Sequence, residues 1–242
     1  DFLIIVPARY SSSRFPGKPL ADINGKSMIQ HVWEKCVEAA SLDKVVIATD
    51  DERILKHCKS YEMRVVMTSN NCLTGTDRLY EVALKIMAKH YINVQGDEPL
   101  ISPEDIRAVI KASKEEPEIT VNAMCPIKDE SDFNNPNIPK VVTREDGSLL
   151  YISRAAIPTN KKLTFSKGMK QVCIYAFPRN VLLSFGSYKN KTQLETIEDI
   201  EILRLLELGY DIRMIEVSGS SVAVDTPQDL SKVISIINEK YS

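Results

Sequence analysis

No two cysteines in this sequence form a CxxC pair. The five present, Cys36, Cys58, Cys72, Cys125 and Cys173, are odd in number and far apart. A disulfide scaffold and a zinc ribbon are thereby excluded, and a reducing compartment is favoured. The three histidines, His31, His57 and His90, share no metal-ligand spacing. Apolar runs are too short to cross a bilayer, and the residues from Asp1 onward show no signal-peptide pattern, so a cytoplasmic protein without a membrane partner is expected. Neither sign of charge is in excess: 31 Lys and Arg against 33 Asp and Glu leave a formal net charge of −2. That balance argues against a general nucleic-acid binder, so any cationic function has to be local. Glycine is sparse, nine in 242 residues, and GxGxxG occurs nowhere, which removes the usual dinucleotide fingerprint. The stretch NGKS (24–27) suggests a P-loop, but that pattern requires glycine where Leu20 stands.

What is present is alternation. FLIIV (2–6), KVVIATD (44–50), RVVMT (64–68) and YINVQ (91–95) read as buried strands. Between them MIQHVWEKCVEA (28–39), DERILKHCKSY (51–61) and TDRLYEVALKIMAK (76–89) have helical spacing, with Asp50 or Asp51 at an N-cap. Repeated strand–helix units predict an α/β fold, a mostly parallel sheet flanked by helices on both faces. The second half is less regular. Residues 119–127, 139–143, 148–158 and 211–217 look like strands. ETIEDIEILRLLELG (195–209) reads as one helix ended by Gly209, and 227–241 as a closing helix with Pro227 in its first turn. LLYIS and VCIYAF read mainly as core or dimer surface.

Two features carry chemistry. The first strand runs into PARYSSSRFPGKPL, where Arg9, Arg14 and Lys18 are interspersed with serine, proline and glycine. A basic turn at the carboxyl end of a parallel strand can offer backbone N–H groups and cations to phosphate. A merely solvated loop is the alternative. Second, YINVQGDEP and SSVAVDTP share a design: an apolar strand, an aspartate, one residue, then proline. Asp97 and Asp225 would then sit at strand ends facing one crevice, a usual way to hold Mg²⁺ beside a triphosphate. For Asp225 the alternative is a cap on the helix at Pro227.

Seven motifs, PARYSSSRFPGKPL, ATDDERI, TGTDRL, NVQGDEPLI, YISRAAIP, IEILRLL and VDTPQDL, occur in one order along the chain. That series resembles the 3-deoxy-manno-octulosonate cytidylyltransferase family (CMP-Kdo synthetases), over essentially the whole length. The resemblance implies one Rossmann-like domain spanning 1–242. Its nucleotide-binding part would cover about 1–115 plus 210–242, and a smaller sugar-binding and dimerisation lobe about 116–209. It implies the Mg²⁺-dependent reaction of CTP with Kdo to give CMP-Kdo and pyrophosphate, for lipopolysaccharide or capsule assembly, in a homodimer.

Carried onto matching positions, the resemblance gives Arg9, Ser11, Arg14 and Lys18 to the CTP phosphates, and Pro7, Ala8 and Arg78 to the cytidine. Gln95, Arg154, Gln171, Tyr175, Glu198 and Glu201 fall to the sugar, and Asp97 and Asp225 to the metal. Lys18, Arg14, Asp97 and Asp225 would be the catalytic set. Arg154 is expected to grip the sugar carboxylate bidentately. Glu198 and Glu201, three apart, are expected to share a helix face toward sugar hydroxyls; solvated acids are the alternative. Gln171 and Cys173 stand where the family has His and Gly. A related acid, 8-amino-Kdo or a sialate-type sugar, is therefore the alternative substrate.

Overall fold

The computed structural model describes residues 1–12 and 14–241, with side chains through residue 239. In chain order the strands are β1 (Phe2–Ala8), β2 (Asp22–Ile23), β3 (Lys26–Ser27), β4 (Val45–Thr49), β5 (Val65–Met67), β6 (His90–Val94), β7 (Thr120–Pro126), β8 (Lys140–Thr143), β9 (Leu149–Ser153), β10 (Met169–Pro178) and β11 (Ile212–Glu216). The helices are α1 (Met28–Ala39), α2 (Glu52–Ser60), α3 (Gly75–Lys85), α4 (Pro103–Glu115), α5 (Glu130–Asn134), α6 (Arg179–Ser187), α7 (Gln193–Glu198), α8 (Leu203–Glu207) and α9 (Pro227–Tyr241).

The strands line up as β11-β7-β10-β6-β1-β4-β5, with β8 and β9 attached through β10. Every pairing along that row is parallel except those of β10, which runs antiparallel between β6 and β7. Side chains of a strand point alternately to its two faces, and β1 shows both faces covered. Ile4 and Val6 join a core with Val32, Trp33, Ile106 and Val109 from α1 and α4. Leu3 and Ile5 join another with Leu79, Val82 and Leu182 from α3 and α6. A third cluster, Ile23, Met28, Val224, Val233 and Ile237, seats α9 against the start of α1.

Helix starts follow local chemistry. Ser27 with Gln30, and Thr74 with Asp77, form reciprocal capping boxes at α1 and α3. Asp51 caps α2, and Ser102 caps α4. The NGKS stretch is a hairpin turn between β2 and β3, with Asn24 and Gly25 both at positive φ (53° and 86°), as a two-residue hairpin loop requires.

Three expectations need correction. The predicted helix over 195–209 is two short helices, broken at Asp199, whose φ of 49° and ψ of 50° are left-handed. The residues before Asp225 form no strand; Val224 N–H instead donates to the Asp97 carbonyl at 2.9 Å. The stretch VCIYAF is core, one of the two outcomes expected: it lies within the ten-residue β10 in the middle of the sheet, and α6 follows it directly. Because β7 and β10 belong to the central sheet, a boundary at residue 116 does not separate the sheet from a lobe. What branches from the main row of strands is the β8–β9 hairpin, paired to β10 through β8, together with α5 and the loop before β10.

Candidate active site

β1 is the strand from which the chain builds in both directions, β4 on one side and β6 on the other. Open α/β sheets take ligands at such a switch point, outside the carboxyl ends of the strands. A cleft lies there, walled by Pro7, Ala8 and Arg9 after β1 and by Gln95, Gly96 and Asp97 after β6. Gly96 makes the two walls meet: a Cβ there would stand 2.7 Å from the Pro7 carbonyl oxygen. Only a residue without a side chain allows the turn carrying Asp97 to pack so close to β1.

The basic loop closes over the same cleft. Gly17, at φ 74°, donates its N–H to the Tyr10 carbonyl at 2.9 Å, and the next residue, Lys18, opens a short 3₁₀ turn. The Lys18 ammonium then reaches both predicted metal-site carboxylates, Asp97 Oδ2 at 2.7 Å and Asp225 Oδ1 at 3.5 Å. Arg14 Nη2 joins Asp225 Oδ1 at 3.0 Å. Two aspartates 128 positions apart in sequence thus converge on one cation, and both remain partly open to solvent. Asp225 does not cap α9. That role falls to Thr226, which exchanges bonds with Asp229: Asp229 N–H to Thr226 Oγ1 at 3.3 Å and Thr226 N–H to Asp229 Oδ2 at 3.0 Å.

Of the remaining residues predicted for the nucleotide, Pro7, Ala8 and Arg9 line the cleft. Ser12 lines it in place of Ser11, which is exposed. Arg78 lines it too, but its guanidinium is buried and engaged. It donates to Asp50 Oδ2 at 2.6 Å, Thr68 Oγ1 at 2.8 Å and the Ser69 carbonyl at 3.2 Å, tying the ends of β4 and β5 to α3.

The predicted sugar residues divide. Gln95 and Glu201 line the cleft. Glu201 accepts from the N–H groups of Gly75 (3.1 Å) and Thr76 (3.0 Å) and from Thr76 Oγ1 (2.5 Å) at the start of α3. Burial raises its carboxyl above the ordinary value, against those donors. Glu198 faces elsewhere. It accepts from Ser153 Oγ at 2.6 Å and Arg154 N–H at 2.9 Å, so the expected common helix face does not form, because the turn at Asp199 separates the two acids. Arg154 spends its guanidinium on main-chain carbonyls of Glu198, Pro136 (2.9 Å) and Asp199 (3.0 Å). Tyr175 is a core residue stacked on Phe177 at 5.8 Å.

Gln171 lines a neighbouring cavity of roughly 750 Å³, which shares Arg14 and Asp225 with the cleft. Its amide donates to Asn122 Oδ1 at 2.9 Å. Cys173 and Glu98 line that cavity as well. Burial first, and the Asp97 charge second, push the Glu98 carboxyl up to about 7. Gly96 and Glu98 stand inside a motif the sequence displays, and could have been marked there. Lys191 and Asp199, also in the cleft wall, carry no motif.

The cytidylyltransferase family model matches residues 3–212. A 3-deoxy-manno-octulosonate cytidylyltransferase of Syntrophotalea carbinolica is 43% identical over 239 residues, 95% of each chain. One of Escherichia coli is 39% identical over 240 residues, covering 99% of this chain and 97% of its own. The chain belongs to the 3-deoxy-manno-octulosonate cytidylyltransferase family. A solved CMP:2-keto-3-deoxy-manno-octonic acid synthetase complexed with CTP superimposes with a TM-score of 0.92 at 38% identity, over 99% of both chains. The mostly parallel, helix-flanked sheet thus matches the fold of that synthetase.

Proposed function

We infer that this chain transfers CMP from CTP to the anomeric hydroxyl of 3-deoxy-D-manno-octulosonate and releases pyrophosphate. The observation that carries the reading is the convergence of Asp97, Asp225, Lys18 and Arg14 at the switch point of a family-typical sheet. Arg9, Arg14 and Lys18 are the cations available to a triphosphate in that cleft, and Pro7, Ala8 and the start of α3 are its walls.

Among the described residues no group of three or more His, Cys, Asp or Glu is placed to hold a metal. Two carboxylates with an open side suit Mg²⁺, which keeps several waters and takes the rest of its oxygens from substrate phosphates. Asp97 and Asp225 would hold it. When bound, it polarises phosphate oxygens and lowers the pKa of a coordinated hydroxyl.

The chemistry needs no covalent enzyme intermediate. The C2 hydroxyl attacks the α-phosphorus in line, its proton passes to solvent water, and the P–O bond to pyrophosphate breaks. The protein's part is positioning and charge neutralisation. Arg14 and Lys18 stabilise charge gathering on the leaving pyrophosphate, Lys18 exchanging its carboxylate partners for phosphate oxygens as the nucleotide enters. Gln95 and Glu201 offer hydrogen bonds at the acceptor side. Gln171 and Cys173, the two positions at which the sequence departs from the pattern of the family it resembles, line the adjoining cavity, which favours a second reading: an acceptor related to Kdo, such as an 8-amino or nine-carbon acid. The lobe carrying β8 and β9 is the proposed dimer surface, and the cytoplasm the proposed location. Among the described residues no helix is long and apolar enough to cross a membrane.

A pyrophosphate-release panel crossing CTP and UTP with Kdo, 8-amino-Kdo and a sialic acid tests the reading. Release with CTP, Mg²⁺ and one of these acids is expected. No release with any of them overturns it.

A further inference from the structure

The segment from the end of α6 to the start of α8 contributes a cation to the cleft wall. Lys191 Nζ donates to Asp199 Oδ1 at 2.5 Å, and both residues line the cleft beside Glu201. Asp199 is the left-handed residue that separates α7 from α8, a conformation uncommon outside glycine and best tolerated by Asn and Asp. The turn presents its carboxylate to Lys191 at the rim. The bond from Lys191 comes first in holding that carboxyl below its ordinary range, and the charges of Arg154 and Arg9 add to it.

Two observations indicate what Lys191 is for. The first is the state of Arg154: it does not line the cleft, and each of its guanidinium nitrogens already donates to a main-chain carbonyl, which takes three of its five N–H donors. The second is the distribution of charge. Arg14 and Lys18 belong to the N-terminal loop, with the metal-site aspartates. In-line displacement puts the attacking oxygen and the departing pyrophosphate on opposite sides of the α-phosphorus. An acceptor therefore meets the wall away from the pyrophosphate cations, and a sugar acid brings a carboxylate with it. On the α7–α8 wall, Lys191 is the lysine that lines the cleft among the described residues. Its side chain is 27% exposed and that of Asp199 72%, and exposed pairs of this kind hold weakly. Exchange of one carboxylate partner for another costs little.

We propose that Lys191 is a specificity residue for the acceptor, its ammonium leaving Asp199 to take the carboxylate of a 3-deoxy-ulosonic acid. The inference rests on the cytidylyl-transfer reading and deepens it. Asp199 holds the ammonium in place while the site is empty, and a neutral sugar, with no carboxylate to offer, gains nothing from Lys191.

Steady-state kinetics of the intact enzyme, Lys191→Gln, Lys191→Arg and Asp199→Asn test this, with the acceptor acid and its C1 carboxamide compared. A charge-assisted hydrogen bond of ordinary strength corresponds to a rise of roughly 10- to 100-fold in the acceptor KM of Lys191→Gln. The KM for CTP should change less than about twofold, Lys191→Arg should recover most of the loss, and Lys191→Gln should lose the preference of acid over carboxamide. Asp199→Asn, which suits the left-handed backbone, should leave the acceptor KM at or below that of the intact enzyme. An unchanged acceptor KM in Lys191→Gln, or a rise in the CTP KM instead, overturns the inference while the function stands. A raised acceptor KM in Asp199→Asn overturns the exchange. No turnover by the intact enzyme with any acid overturns the reading and this inference together.

Discussion

Asp97 reaches the cleft through Gly96, and its partner Asp225 through a main-chain bond from Val224 to the Asp97 carbonyl. The two carboxylates are therefore positioned by backbone rather than by packing, and neither anchors a helix. Asp97→Asn should fold as the intact protein does, with thermal unfolding within a degree or two. It removes one of the two carboxylates proposed to hold Mg²⁺, so turnover should fall by about 10²–10³ or more, as on loss of other preorganised electrostatic groups. Circular dichroism and the pyrophosphate assay on one preparation check both halves. Loss of fold would show that the carboxylate is structural. At this scale the sequence marked Asp97, Asp225, Lys18 and Arg14 as one group, and the structure brings their side chains together. It misled at Arg154 and Glu198. Both are polar residues assigned to the sugar, yet one bonds three carbonyls and the other bonds Ser153 and the Arg154 backbone. A residue type shows what a group can bind, whereas the nearest competing partner decides what it does bind.

At the scale of elements, the break between α7 and α8 is organised by Arg204. Its side chain is fully buried, grips Glu195 through two bonds of 2.7 Å, meets Asp77 of α3 at 2.9 Å, and lies over the Phe185 ring of α6 at 3.8 Å. One guanidinium thereby joins α3, α6, α7 and α8 and fixes Glu201 at the start of α3. Removing one partner of a buried ion pair leaves the other charge uncompensated, at a cost of about 3–5 kcal/mol. Arg204→Ala should lose about that much in urea unfolding, and should lower turnover even where the protein remains folded. A loss below about 1 kcal/mol would refute the joint. The helix over 195–209 looked continuous because its apolar spacing continues through Asp199, and a long-range ion pair leaves no periodic trace. The helices read over 28–39 and 51–61 were legible almost to the residue, since apolar spacing and a cap such as Asp51 are local, whereas the one read over 76–89 ends at Lys85.

For the whole molecule, the cleft joins pieces remote in sequence: the turn after β1, the turn after β6, the start of α3, the α7–α8 corner and Asp225 shortly before α9. A ligand touching all of them binds the folded state alone and must stabilise it. Saturation at 100 times the dissociation constant adds about 2.7 kcal/mol. CTP should therefore raise the unfolding temperature by several degrees, UTP by less, and Arg14→Ala should reduce the gain from CTP. Equal shifts with CTP and UTP would deny the cytosine preference, and no shift would deny the site.

Sequence alone determined the α/β class, the parallel first half, the caps and the chemical inventory of the cleft, because hydrophobic period, capping and charge are written locally. Tertiary structure decided where β10 inserts, that the last acidic helix breaks, and which polar groups remain available to a ligand. Those outcomes depend on partners tens of residues away, whose competition for each donor and acceptor is resolved only when the sheet brings them together.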